Sequence, residues 1–130
     1  MKITHIAIWT NNLEVLRDFY GRFFGAQSNG MYTNAVKQFN SYFLTFEKGG
    51  CSLELMSKPN LGHSVDQDLK HETGLAHFAF SVGSKEQVDL FTEQFRASGY
   101  KVISEPRYTG DGFYESAIND PDGNIVEITI

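Results

Sequence analysis

The sequence predicts an α+β fold made of two copies of one βαβββ unit, and three observations carry that expectation. Two strand-like segments, Ile3-Thr4-His5-Ile6-Ala7-Ile8-Trp9 and Leu75-Ala76-His77-Phe78-Ala79-Phe80-Ser81, share the pattern apolar-x-His-apolar-Ala-apolar, displaced by 72 residues. A helical pattern follows each, and Phe19 and Phe23 recur at the same displacement as Phe91 and Phe95. Each half then closes on a strand with a central Glu, Ser52-Leu53-Glu54-Leu55-Met56 and Ile125-Val126-Glu127-Ile128-Thr129. Self-similarity in register, rather than in composition, is the mark of an internal repeat.

The elements follow in order. In the first half Leu16, Phe19, Tyr20 and Phe23 define one face of a helix from about Leu13 to Phe24, with Asn12 as its predicted cap and Gly25 as its stop. Strand-like runs come next: a weak one near Gly30–Thr33, then Ser41–Glu47, a Gly49-Gly50 turn and Cys51–Ser57. In the second half Val88, Phe91 and Phe95 mark the helix, Ser84 with Gln87 forms a capping-box pattern, and Gly99 ends it. Three strands follow, Lys101–Tyr108, Tyr114–Asn119 and Ile125–Ile130, the last two joined by the turn Asp120-Pro121-Asp122-Gly123. One domain over 1–130 is expected, with modules 1–57 and 74–130 joined by a polar linker or lid at 58–73. His63 and His71 fall in that linker, have no partner in the repeat, and read as solvated loop residues.

Composition narrows the function classes. A chain of 130 residues suits one compact domain. Its 11 basic and 16 acidic residues are scattered, which argues against a nucleic-acid partner, since that would require a clustered basic face. Cys51 stands alone, so neither an internal disulfide nor a thiolate metal site is expected. The apolar start of MKITHIAIW is too short for a signal peptide or a bilayer span, which makes the cytosol the default compartment.

Strand parity singles out four residues. Side chains i and i+2 share a face of a strand. His5 therefore shares a face with Ile3, Ala7 and Trp9, and Glu54 with Ser52 and Met56. His77 lies with Leu75, Ala79 and Ser81, and Glu127 with Ile125 and Thr129. The opposite faces are apolar and suited to packing on a helix. Taken singly, each His reads as a hydrogen-bonded strand residue and each Glu as half-exposed. Together they recur at intervals of 49 and 50 residues, and a carboxylate amid apolar strand residues needs compensation. Imidazole nitrogens with carboxylate oxygens suit one divalent ion, Zn²⁺ or Ni²⁺ first, with Co²⁺, Mn²⁺ or Fe²⁺ as alternatives.

The segments HIAIW, CSLELM, GLAHFAFSV and DPDGNIVEI resemble those of the vicinal oxygen chelate superfamily, and the likeness spans the whole chain. That superfamily includes glyoxalase I, extradiol dioxygenases, methylmalonyl-CoA epimerase, and fosfomycin and bleomycin resistance proteins. The resemblance implies a curved mixed sheet enclosing a half-barrel cleft, and a homodimer whose sites combine one chain's first half with the other's second. Two His with two Glu is the glyoxalase I set, so it implies His5, Glu54, His77 and Glu127 as metal ligands. It further implies a lyase that moves a proton next to a carbonyl through an enediolate whose charge the metal stabilises. Glu127 or Glu54 would be the base, and the substrate a hemithioacetal of methylglyoxal with glutathione or a related thiol. An epimerase, another lyase, or a non-catalytic dimeric binding protein are the alternatives. Glyoxalase I enzymes place an Arg shortly after the first His, whereas Ile6-Ala7-Ile8-Trp9-Thr10 holds no basic residue. Trp9, Met56 and Ala79 share the ligands' faces and are candidate substrate contacts, as are Arg107, Tyr108, Asp111 and Tyr114 from the glycine-containing connection.

Overall fold

The computed structural model describes residues 2–62, 75–110 and 112–130. Residues 63–73 of the expected linker, with His63 and His71, lie outside the described residues, as does Asp111. The chain divides into two compact units, Met1–Val65 and Asp66–Ile130.

The first unit runs β1 (His5–Trp9), α1 (Leu13–Phe24), β2 (Gln27–Ser28), β3 (Tyr32–Asn34), β4 (Phe39–Thr45) and β5 (Ser52–Ser57). Its sheet has the order β1-β5-β4-β2, with β3 also on β4. β1 and β5 are parallel, and the other pairs antiparallel. The single weak strand expected near Gly30–Thr33 is instead two short ones on the β4 edge. Between them the Asn29 side chain takes a ladder position, its Oδ1 accepting from the Phe43 N–H at 2.8 Å.

The second unit repeats the plan with β6 (Phe78–Ser81), α2 (Lys85–Ala97), β7 (Val102–Tyr108), β8 (Tyr114–Asn119) and β9 (Ile125–Thr129), in the order β6-β9-β8-β7. β6 and β9 are again parallel. β6 begins at Phe78, later than expected from Leu75, because its ladder with β9 starts at Phe78↔Val126. His77 therefore immediately precedes its strand, whereas His5 opens β1. No helix among the described residues is long and apolar enough to cross a membrane.

Each unit is a sheet with one helix on one face. In the first, Leu16, Phe19 and Tyr20 of α1 are buried, as are Ile8, Leu44, Leu53 and Leu55 of the sheet. In the second, Val88, Thr92 and Phe95 are buried, together with Ile118, Val126 and Ile128. Each such aliphatic side chain contributes about 1.5–3 kcal/mol through burial. Helix ends follow the sequence in three places of four. Ser84 caps α2 by accepting from the Gln87 N–H at 3.3 Å, and Gly25 closes α1 at φ 65°. Beyond α2, Gly99 turns at φ 83° while the Tyr100 N–H returns to the Phe95 carbonyl at 3.0 Å. The exception is Asn12, whose side chain makes no capping bond. Its N–H instead donates to the Oγ1 of buried Thr10 at 2.8 Å.

Buried tyrosines tie each helix to its sheet. The Tyr42 hydroxyl donates to Glu14 Oε1 at 2.7 Å and accepts from Arg17 Nη1 at 3.1 Å. The Tyr114 hydroxyl donates to Asp89 Oδ1 at 2.7 Å. The hydrogen bond to Asp89, reinforced by burial and by the carboxylate's charge, pushes the Tyr114 phenol up to about 12. A neutral phenol that the fold favours adds stability in full below the ordinary tyrosine range near 10, and that stability is lost as pH rises through about 12. Tyr114→Phe is expected to lower the melting temperature near neutral pH. The deficit relative to the parent protein should shrink between roughly pH 10 and 12. Thermal melts of both proteins across that range check it, and a deficit that does not change would exclude this role for the bond.

Candidate functional site

The faces not covered by the helices carry the candidate residues. Along β1 the alternation is clear: Ile8 is buried toward α1, while His5, Ala7 and Trp9 are exposed. Parallel pairing sets Ala7 opposite Glu54 and Trp9 opposite Met56. His5, opposite Ser52, is thereby diagonal to Glu54, with its Nε2 3.9 Å from Glu54 Oε2. The other ring nitrogen, Nδ1, lies 3.1 Å from Thr4 Oγ1. One imidazole nitrogen held by an outer partner while the other faces a carboxylate is the usual posture of a metal-ligating histidine.

The second unit repeats the geometry. Ala79 pairs with Glu127, and His77 Nε2 lies 3.1 Å from Glu127 Oε2. The small Ala of each His-x-Ala motif thus stands beside the carboxylate and leaves it room. Both carboxylates lie low in their surfaces, with side chains 15% exposed for Glu54 and 19% for Glu127. Their strands explain this, since β5 lies between β1 and β4, and β9 between β6 and β8. Each unit therefore offers one imidazole nitrogen and one carboxylate oxygen on one face. Among the described residues no group of three or more His, Cys, Asp or Glu side chains is set to hold an ion. The donor chemistry of each pair, imidazole nitrogen with carboxylate oxygen, fits a borderline divalent cation.

The neighbours of the two carboxylates differ. On its far side Glu54 is in register with Phe43, whose ring meets the His5 ring edge-on at 5.3 Å. Glu127 has Ala117 there. One row further along the first unit's face come Trp9, Met56, Ser41 and Tyr32, on β1, β5, β4 and β3. The matching row of the second unit holds Ser81, Thr129, Glu115 and Arg107. Trp9 is 48% exposed and has Lys58 Nζ 4.8 Å from its ring centre.

Of the candidate substrate contacts, Trp9, Met56, Ala79 and Arg107 lie on the faces that carry the His–Glu pairs. Arg107 donates to Ser104 Oγ at 2.6 Å and lies 3.7 Å from Glu115. Tyr114 does not join them. It belongs to the alternate set of β8 that faces α2, where Asp89 holds its hydroxyl. Tyr108 is exposed and stacks edge-on against Tyr114 at 4.9 Å. Sequence reading passed over Ser41, Phe43 and Glu115. Alternation along their strands was the available signal, because each takes the parity opposite to the buried apolar set.

The profile of the Glyoxalase/Bleomycin resistance protein/Dioxygenase superfamily matches residues 2–128. The chain belongs to this superfamily. It is 32% identical over 132 residues to the uncharacterized protein YqjT of Bacillus subtilis (strain 168), covering 95% of this chain and 94% of that one. Solved superfamily structures share its fold. The glyoxalase family protein of Enterococcus faecalis superposes with a TM-score of 0.79 at 23% identity, covering 99% of this chain and 97% of the other. The trypanothione-dependent glyoxalase I of Leishmania major gives 0.76 at 21% identity, covering 99% and 86%.

The Phe43–His5 contact gives a local test. In Phe43→Ala the His5 ring protons should lose the ring-current shift from Phe43, while those of His77 stay in place. Proton NMR of the histidine region distinguishes the two, and an unmoved His5 signal would show that the contact is absent in solution.

Proposed function

We propose that the chain is a metal-dependent glyoxalase I-like lyase, acting on a hemithioacetal of methylglyoxal or a related oxygenated small molecule. The observation that supports it most is the repeated His–Glu pair, one per unit, each on the sheet face free of the helix. His5, Glu54, His77 and Glu127 together would hold one divalent ion, Zn²⁺ or Ni²⁺ by preference. The donor set suits borderline metals and leaves coordination positions for substrate oxygens. A homodimer with sites shared between chains is the assembly that membership of the superfamily suggests. The small-molecule substrate is thiol-linked in this reading, and the compartment cytoplasmic. Similarity to glyoxalase I structures supports the fold side of the argument.

The ion, when bound, supplies Lewis-acid stabilisation of the negative charge that develops on neighbouring substrate oxygens. The remaining steps belong to the chain. His5 and His77 stay as fixed nitrogen donors. Glu127, with Ala79 and Ala117 beside it, has space to lean toward the substrate and take the carbon-bound proton at a carboxylate oxygen, returning it to the adjacent carbon. Glu54 is the alternative base, though Phe43 crowds its far side.

A non-catalytic binding protein is the competing reading, favoured by the exposed Trp9 on the same face as His5 and Glu54. Elemental analysis of protein purified without chelator is expected to find a divalent metal. His5→Ala and His77→Ala should each weaken Zn²⁺ binding by at least roughly 100-fold, since even outer partners of ligands are worth about 10- to 100-fold. Hemithioacetal isomerisation should appear with Zn²⁺, Ni²⁺ or Co²⁺. Glu127→Gln should lower kcat by about 10²- to 10⁴-fold with the fold intact by circular dichroism. Background rates with every metal would remove the lyase assignment and leave the binding protein.

A further inference from the structure

The first unit holds a polar atom that its own fold leaves unused. Ser41 is 1% exposed, and its Oγ has no hydrogen-bond partner among the described residues. Leaving a buried hydroxyl unpaired costs on the order of 1–3 kcal/mol, so such an atom calls for an explanation. Its position is informative. Ser41 takes the parity of Phe43, Glu54's register partner, and not that of Tyr42 and Leu44, which are buried on the helix side. The hydroxyl therefore belongs to the His5–Glu54 face. It stands in register between Met56 and Tyr32, with Trp9 beyond Met56.

We propose that this row is a substrate subsite for a flat aryl substituent bearing one oxygen acceptor, and that the Ser41 hydroxyl donates to that oxygen. Three features define the ligand. Trp9 and Tyr32, 48% and 51% exposed, provide aromatic surface at the two ends of the row. Met56, unbranched and with rotatable bonds, can swing aside to admit a group to the buried hydroxyl. The row is two strand residues from Glu54, roughly 7 Å along β5. That is about the span of a para-substituted ring attached to a carbon reacting beside the carboxylate. Lys58, over the Trp9 ring, adds a cation at the edge of the row for an anionic end of the same molecule. The row contains no arginine, so it suits an aryl group better than the carboxylates of a peptide thiol. The corresponding row of the second unit, with Glu115 and Arg107, offers no such surface.

The inference rests on the catalytic reading for the place of the reacting carbon, but its test is a binding measurement. Trp9 is the only tryptophan, so intrinsic fluorescence reports on this row. Lactate, mandelate and para-methoxymandelate are titrated into the purified protein and into Ser41→Ala. Mandelate is expected to bind at least tenfold more tightly than lactate, with saturable quenching. The para-oxygen should add a further gain of about fivefold, the worth of one neutral hydrogen bond. Ser41→Ala should abolish only that last gain, and its melting temperature should stay equal or rise because an unpaired hydroxyl has gone. Ser41→Cys, similar in size and a weak donor, should retain part of the gain. Equal affinity for lactate and mandelate overturns the subsite. A para-oxygen gain that survives in Ser41→Ala overturns the role of the hydroxyl. Failure of hemithioacetal turnover would alter neither result, so the two readings fail separately.

Discussion

Everything about the candidate site depends on the parallel pairing of the first and last strands of each half. A His near the start of a module and a Glu about 50 residues later have no local reason to meet. They meet because β1 lies beside β5, and β6 beside β9, in a fixed parallel register. A slip of one residue would turn Glu54 or Glu127 toward the helix and expose Leu53 and Leu55, or Val126 and Ile128. Burial of those side chains is what prevents the slip. The hydrophobic core thus sets the aim of the polar residues without touching them.

The helices complete that constraint from the other face. Parallel strands need a crossover between them, and a helix packed on one face leaves the other open for polar groups. The contacts that hold α2 down are partly polar. The Thr92 and Ser116 hydroxyls lie 2.6 Å apart with both residues fully buried, and Thr92 also donates to the Val88 carbonyl. Near the open end of β9, the Asp120 carboxylate accepts from the Asp122 and Asn124 backbone N–H groups and from the Asn124 side chain. The Asp-Pro-Asp-Gly-Asn signature is therefore a turn device. It fixes where β9 starts, and hence which face Glu127 takes.

Much of this was legible in the sequence, for identifiable reasons. Period-two alternation in β1, β5 and β9 gave the faces, and repetition gave the correspondence between the elements of the two halves. Less local features were not legible. The split of the edge strand into β2 and β3 turns on one Asn29 side chain occupying a backbone position. Asn12 makes no side-chain cap because its backbone, at φ −122° and ψ 51°, departs from the extended conformation a cap adopts, with its N–H held by Thr10 Oγ1. Tyr114 read as a loop-edge residue because its partner, Asp89, is 25 positions away on a helix. Ser41 gave no signal beyond parity, since an unpaired hydroxyl is a property of packing and not of sequence.

The two halves keep the same His–Glu pair and diverge around it, and under the proposed function that divergence would set specificity. Metal-type donors tolerate little variation, because nitrogen and oxygen must converge at set distances. Neighbouring rows carry no such requirement. The first unit places Phe43 beside Glu54 and an aromatic row beyond, while the second places Ala117 beside Glu127 and a charged row beyond. Here Glu54 has Phe43 beside it and Glu127 has Ala117, so under the proposed function proton transfer and substrate recognition would fall to different halves. The difference between the halves lies in three register positions, 41, 43 and 117, and not in the His–Glu pairs themselves.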